Sequence, residues 1–148
     1  MAVRWRCVVA TSGIVASLAC NDAVSANAVD VVADAIPTPL AAPGDVARGR
    51  ALLVARENAN CVLCHAIPDP ALPFSGDVGP SLEHVGRRLT AGQLRLRIVD
   101  SARLNPRTMM PSYYRTAGLH DVATRYRGTT ILSAQEVEDL VAYFSQLE

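Results

Sequence analysis

Asn60-Cys61-Val62-Leu63-Cys64-His65 is the stretch on which the reading of this chain turns. Thiols at i and i+3 fall on one side of a single helical turn. The histidine that follows is near enough to bind the same group. Three other readings of the string are weaker. A disulfide closing so small a loop stabilises little. A thioredoxin-like redox pair belongs in a βαβ unit, and no strand run flanks this one. A structural zinc site needs four ligands at suitable spacing, and His84 and His120 are the only other histidines. C-x-x-C-H is instead an attachment string for c-type haem. On that reading Cys61 and Cys64 add to the haem vinyl groups as thioethers, and His65 becomes the proximal iron ligand.

The N-terminal side agrees. Residues 1–28 read as a secretory signal peptide. Met1 to Arg6 carries two arginines, Cys7 to Ala19 is apolar but too short to span a bilayer, and Ala26-Asn27-Ala28 fits a cleavage site. A lipoprotein signal ending at Cys20 is the rival, although Leu18 stands one place too close to that cysteine. Cys7 and Cys20 belong to this segment, so the mature chain keeps only Cys61 and Cys64. Export to the periplasm suits a thioether-bound haem, which is assembled outside the cytoplasm. No stable membrane insertion is expected. The 148 residues suffice for one domain behind the signal. They are 50% hydrophobic but only 5% aromatic, and a haem supplies the missing apolar bulk. Lys+Arg and Asp+Glu are 14 each, with every basic residue an arginine. That balance argues against nucleic acid, since phosphate binding needs a basic excess.

Residues 29–43 contain Pro37, Pro39 and Pro43 and read as an extended N-terminal arm, either a plain linker or a strap across a partner subunit. Residues 44–148 form the domain. Asp45 is a good N-cap for a helix predicted to run to about Asn58. Gly49 within it weakens the helix unless it permits close approach, and Tyr143 or Phe144 is the expected neighbour. Residues 66–80, with four prolines and two glycines, read as a loop. Thr90-Ala91-Gly92-Gln93 looks like a capping box opening a helix to about Ser101. Residues 104–131 read as mostly irregular. Ser133-Ala134-Gln135-Glu136 is a second capping box. Val137, Leu140, Val141 and Phe144 recur behind it at helical spacing, with Glu138 and Asp139 expected on the exposed side. No strand pattern or internal repeat is visible, so the expected fold class is all-α.

Electron-transfer haems usually carry two protein ligands. Met109 and Met110 are the only methionines of the mature chain. Met110 is preferred as sixth ligand because Pro111 stiffens the chain beside it; Met109, His84 and His120 are the rivals. Gly79-Pro80-Ser81-Leu82 offers a carbonyl able to accept the Nδ1–H of His65 and fix its ring, or is a simple turn. Arg87 and Arg88 suit a haem propionate, or are solvated charge.

Together these residues resemble class I cytochromes c. The likeness sharpens in Gly79-Pro80-Ser81-Leu82 with Val85-Gly86-Arg87-Arg88, in Leu94 to Asp100, in Met110-Pro111-Ser112-Tyr113-Tyr114-Arg115, and in Ile131 to Tyr143. From about Val46 to Leu147 the chain is similar to the SoxX family, the monohaem subunits of SoxAX sulfur-oxidation complexes. The resemblance implies one class I cytochrome c domain with one covalent haem c ligated by His65 and Met110. It also implies a heterodimer with a dihaem or monohaem SoxA-like cytochrome, acting as an L-cysteine S-thiosulfotransferase. That enzyme couples thiosulfate oxidatively to a cysteine of a SoxYZ-like carrier, and electrons pass on to a small acceptor cytochrome c. This chain then holds no catalytic residue, since both mature cysteines are spent on haem. A free-standing electron-shuttle cytochrome c is the alternative. His84 departs from the cytochrome pattern, which often has glycine there.

Overall fold

The computed structural model describes residues 29–148 apart from residue 73; the expected signal segment lies outside the described residues. Among the described residues four α-helices follow in order: α1 (Val46–Leu52), α2 (Val85–Arg88), α3 (Ala91–Asp100) and α4 (Ala134–Ser145). Single 3-10 turns occur at Cys61–Leu63, Ser101–Arg103 and Thr124–Tyr126. Among the described residues there is no strand, only one isolated bridge between Val32 and Ala35.

The terminal helices form the frame. α1 and α4 pack against each other, and α3 packs on α4. Leu53, Leu96, Leu132, Val137 and Leu140 fill the core at their junction, each no more than 1% exposed. Gly49 lets α1 and α4 touch backbone to backbone. A Cβ there would collide with the Asp139 carbonyl and meet the Tyr143 Cβ, so the expected contact is with Tyr143. Both sequence-read capping boxes are formed. Thr90 Oγ1 and Ser133 Oγ accept the amides three residues on, and Gln93 and Glu136 reach back. These boxes satisfy two otherwise orphaned amides at each helix start.

Helix α1 ends at Leu52, not near Asn58. The residues after it, Ala55-Arg56-Glu57-Asn58, offer no apolar face to bury, whereas Leu53 and Ala59 are buried on either side of them. Turns at Ala55 and Asn58 replace the helix and deliver Asn60 in a left-handed conformation, φ 46°, at the start of the cysteine turn.

A further expectation is corrected. Glu138 and Asp139 are buried, 4% and 2% exposed. Arg95 of α3 grips Glu138 with two bonds, 2.7 and 2.8 Å, and Arg48 of α1 grips Asp139 with two, 2.7 and 2.9 Å. Helix α4 is enclosed on more sides than its apolar stripe implies, and carboxylates can enter because guanidinium groups from neighbouring helices meet them. The arm, residues 29–43, packs on its own domain. Ile36 is 1% exposed and its amide donates to the Gly92 carbonyl at 2.9 Å. Arg95 Nη1 donates to the Ile36 carbonyl at 2.6 Å, and the Leu40 amide donates to Glu138 Oε1 at 2.9 Å. The arm thus supplies the last hydrogen bonds that a buried ion pair needs.

Candidate haem site

The left-handed Asn60 sets the chain into a tight turn. The amides of Leu63, Cys64 and His65 donate to the carbonyls of Asn60, Cys61 and Cys61 in turn, at 3.0, 3.2 and 3.0 Å. Cys61 and Cys64 therefore sit one turn apart, and both are free thiols. Burial pushes the Cys61 thiol up to about 12. Redox and nucleophilic cysteines require the opposite shift, toward thiolate. A buried neutral thiol suits conversion to a thioether, which carries no charge.

His65 is fixed from two sides. Its Nδ1 lies 2.8 Å from the Pro80 carbonyl oxygen. A carbonyl can only accept, so Nδ1 carries a proton and Nε2 is the nitrogen left to bind a metal. Gly79 lies flat against the ring: a Cβ there would approach Cε1 to 2.5 Å and Nδ1 to 2.7 Å. The loop that brings these residues up is laced to the cysteine turn. The Gly76 amide donates to the Val62 carbonyl at 2.8 Å, Gly79 to Cys64 at 2.7 Å, and Leu82 to Ala66 at 2.9 Å. The Gly79-Pro80 segment is thus a holder for the imidazole, not a simple turn.

The two methionines differ. Met109 is 83% exposed. Met110 is half-buried, and its carbonyl accepts the Ser101 hydroxyl at 3.1 Å while its amide donates to Thr108 Oγ1 at 3.2 Å. Three residues on, the Tyr113 hydroxyl donates to the Ala59 carbonyl at 3.1 Å, just before the cysteine turn. Burial raises its pKa, helped by Cys61 and Cys64 nearby. Tyr113 is therefore the side chain that brings the methionine segment back to the cysteines. The sequence reading gave it no role; its place in Met-Pro-Ser-Tyr-Tyr-Arg was the available signal.

The remaining candidates lie apart. His84 and His120 are exposed. Arg88 does not wait for an anion, since its Nη2 donates to the carbonyls of Ser81 and Glu83 at 2.9 and 3.2 Å. It braces the segment that follows Pro80. Arg87 is exposed. Among the described residues no three His, Cys, Asp or Glu side chains are grouped so that they could hold a bare metal ion. A surface hollow of about 370 Å³ between Thr116, Leu119, Asp121, Tyr126 and Arg127 includes none of Cys61, Cys64, His65 or Met110. Two free thiols on one turn, an imidazole whose Nδ1 is held by a carbonyl, and a half-buried thioether are a donor set that fits a covalently held haem.

Comparison with solved structures points the same way. One match is the crystal structure of SoxXA from P. pantotrophus. The two chains are 31% identical with a TM-score of 0.73, covering 80% of this chain and 93% of that one. The chain belongs to the Sox-type cytochromes. Its all-helical architecture is the class I cytochrome c fold, and as a Sox-type cytochrome it is a subunit of a Sox complex, with electron transport in sulfur oxidation as its setting. No protein-family model and no curated protein matches the chain.

Proposed function

We propose that this chain is the SoxX-like, electron-accepting monohaem subunit of a periplasmic heterodimeric L-cysteine S-thiosulfotransferase. Cys61 and Cys64 would hold one haem c as thioethers, and His65 and Met110 would ligate its iron. The observation that carries this is the 2.8 Å bond between His65 Nδ1 and the Pro80 carbonyl, beside two free cysteines on one turn. It leaves Nε2 as the one nitrogen of His65 able to bind iron. When bound, the haem supplies a one-electron iron couple, and His/Met ligation favours a high reduction potential.

The residues of the chain have separable tasks. Pro80 and Gly79 orient the imidazole, and an oriented ligand with a hydrogen-bonded second nitrogen is a better donor. Met110 would supply the second iron ligand, a soft thioether that does not titrate. The bond-making belongs to the SoxA-like partner, a dihaem or monohaem cytochrome. There a carrier thiol of a SoxYZ-like protein and thiosulfate form an S–S bond, releasing one proton and two electrons. This chain takes up those electrons one at a time and passes them to a small acceptor cytochrome c. Residues 1–28 direct it to the periplasm.

The protein made with a c-haem maturation system should give a pyridine haemochrome spectrum of thioether-bound haem. It should also show the weak far-red band of iron–methionine ligation. Met110→Leu should abolish that band and Met109→Leu should keep it. Co-production with a SoxA-like cytochrome should give a stable heterodimer that conjugates thiosulfate to a carrier cysteine. Isolation only as a monomer, never with a second haem subunit, would favour the free-standing shuttle.

A further inference from the structure

We infer that Asp100 is a positioning residue for the Met110 thioether: its buried carboxylate clamps the methionine loop to the end of α3. The inference rests on Met110 being an iron ligand. The loop itself has little to hold it. Leu104-Asn105-Pro106-Arg107-Thr108-Met109-Met110-Pro111 forms neither helix nor strand. Pro111 removes an amide where a main-chain bond would otherwise tie the loop down.

The anchors are side chains from the last turn of α3. Asp100 is 5% exposed. Its Oδ1 accepts the Ser112 hydroxyl at 2.7 Å and its Oδ2 accepts Arg115 Nη1 at 3.2 Å. Next to it, the Ser101 hydroxyl donates to the Met110 carbonyl at 3.1 Å. Met110 is therefore held directly by Ser101 and, two residues later, by Ser112 on Asp100. The amides of Tyr113 and Tyr114 then continue the attachment, donating to Ile98 and Val99 at 3.2 and 3.3 Å. Arg115 explains why the anchor is charged. Its Nε is buried with no partner among the described residues. A guanidinium with an unsatisfied donor stays in place only against a compensating carboxylate. Bonds to charged groups are about twice as strong as neutral ones, so Asp100 holds the loop with more force than an amide would.

A merely structural Asp100 would end α3 and lower global stability without changing the iron's ligand. A clamp makes a different prediction. Freeing the loop shifts Met110 from bound toward detached, and an external ligand gains apparent affinity by the same factor. Imidazole titration of the oxidised, haem-loaded protein reads this directly. Asp100→Ala should bind imidazole about tenfold more tightly or better, the factor that losing one charge-assisted bond implies. Asp100→Asn, which keeps an acceptor for Ser112 but no charge for Arg115, should fall between Asp100→Ala and the parent. In both, the far-red band should melt out well below the temperature at which far-ultraviolet dichroism is lost. Should Asp100→Ala not take up haem, Ser112→Ala carries the test and should raise imidazole affinity several-fold. Affinities within twofold of the parent for Asp100→Asn together with Ser112→Ala would overturn the clamp. Loss of the band in Met110→Leu would then leave the ligand assignment standing; survival of the band there would overturn the ligand assignment itself.

Discussion

His84 shows what a single backbone angle can ask of a residue. It stands at φ 53° and ψ 27°, left-handed geometry, where it opens α2. An L-residue with a Cβ costs about 1–2 kcal/mol there, and glycine avoids most of it. The imidazole does not offset this through Glu83, 3.6 Å away, because both side chains are more than half exposed and such pairs contribute little. His84→Gly should therefore raise the urea midpoint, the unfolding free energy increasing by up to about 1 kcal/mol after allowing for the extra freedom of an unfolded glycine. A lowered midpoint would mean that the side chain does more than tolerate its angle. Sequence pattern marks this residue as a departure but does not explain it; the positive φ does. His65 is the opposite case. Its role follows from its place after Cys64, and its holder, Pro80, follows from a carbonyl at a workable distance along the chain. Asp100 and Tyr113 lie in segments that carry the family resemblance, but nothing local says what they hold. Their roles depend on which residues a loop brings back, and that is tertiary information.

At the scale of elements, the capping boxes and apolar spacing of α3 and α4 were legible because both are local properties. The end of α1 was not, since burial of Leu53 and the left-handed Asn60 decide it. Nor was the burial of Glu138 and Asp139, because a periodic stripe says which side is apolar, not how many neighbours the helix has. That burial has a pH signature. The Arg48 guanidinium, aided by the Asp45 amide and Gln135, holds the Asp139 carboxyl down to about 2. The folded value lies below the ordinary 3.8. The stabilisation is therefore complete above about pH 4 and is lost as pH falls toward 2, amounting to about 2 kcal/mol. Asp139→Asn should lower stability by about that much at neutral pH. Its stability curve should also fall less steeply than the parent's between about pH 4 and 2, measured by chemical denaturation at each pH. Asp69, lowered by its bond from Arg50, remains in both proteins and leaves a common residual slope. Parallel curves would show that Arg48 does not hold Asp139 in solution.

For the whole molecule, the balance of 14 basic and 14 acidic residues means that net charge cannot steer it to a partner. Apolar surface has to do more of that task, and the region around the cysteine turn supplies it. Leu63, Phe74 and Val78 are 67%, 85% and 65% exposed. The bonds from Gly76 to Val62 and from Gly79 to Cys64 lay the loop that carries Phe74 and Val78 alongside the turn that carries Leu63. Large exposed apolar side chains gathered in one region mark an interaction surface more often than chance exposure does. On the proposed function, this face beside the cysteine turn would meet the haem-bearing partner subunit. Burying one phenylalanine is worth about 1.5–3 kcal/mol, so placing a charge there should cost at least about tenfold in affinity. Phe74→Glu should weaken association with the partner by that factor, read by calorimetry or analytical ultracentrifugation, with the far-red band and midpoint of unfolding unchanged. The parent's affinity should vary little between low and physiological salt, because few charges change their hydration on binding. A steep salt dependence, or a Phe74→Glu variant that binds as the parent does, would move the interface elsewhere. In that case the uncovered arginines, rather than the apolar loop, would be where the partner is recognised.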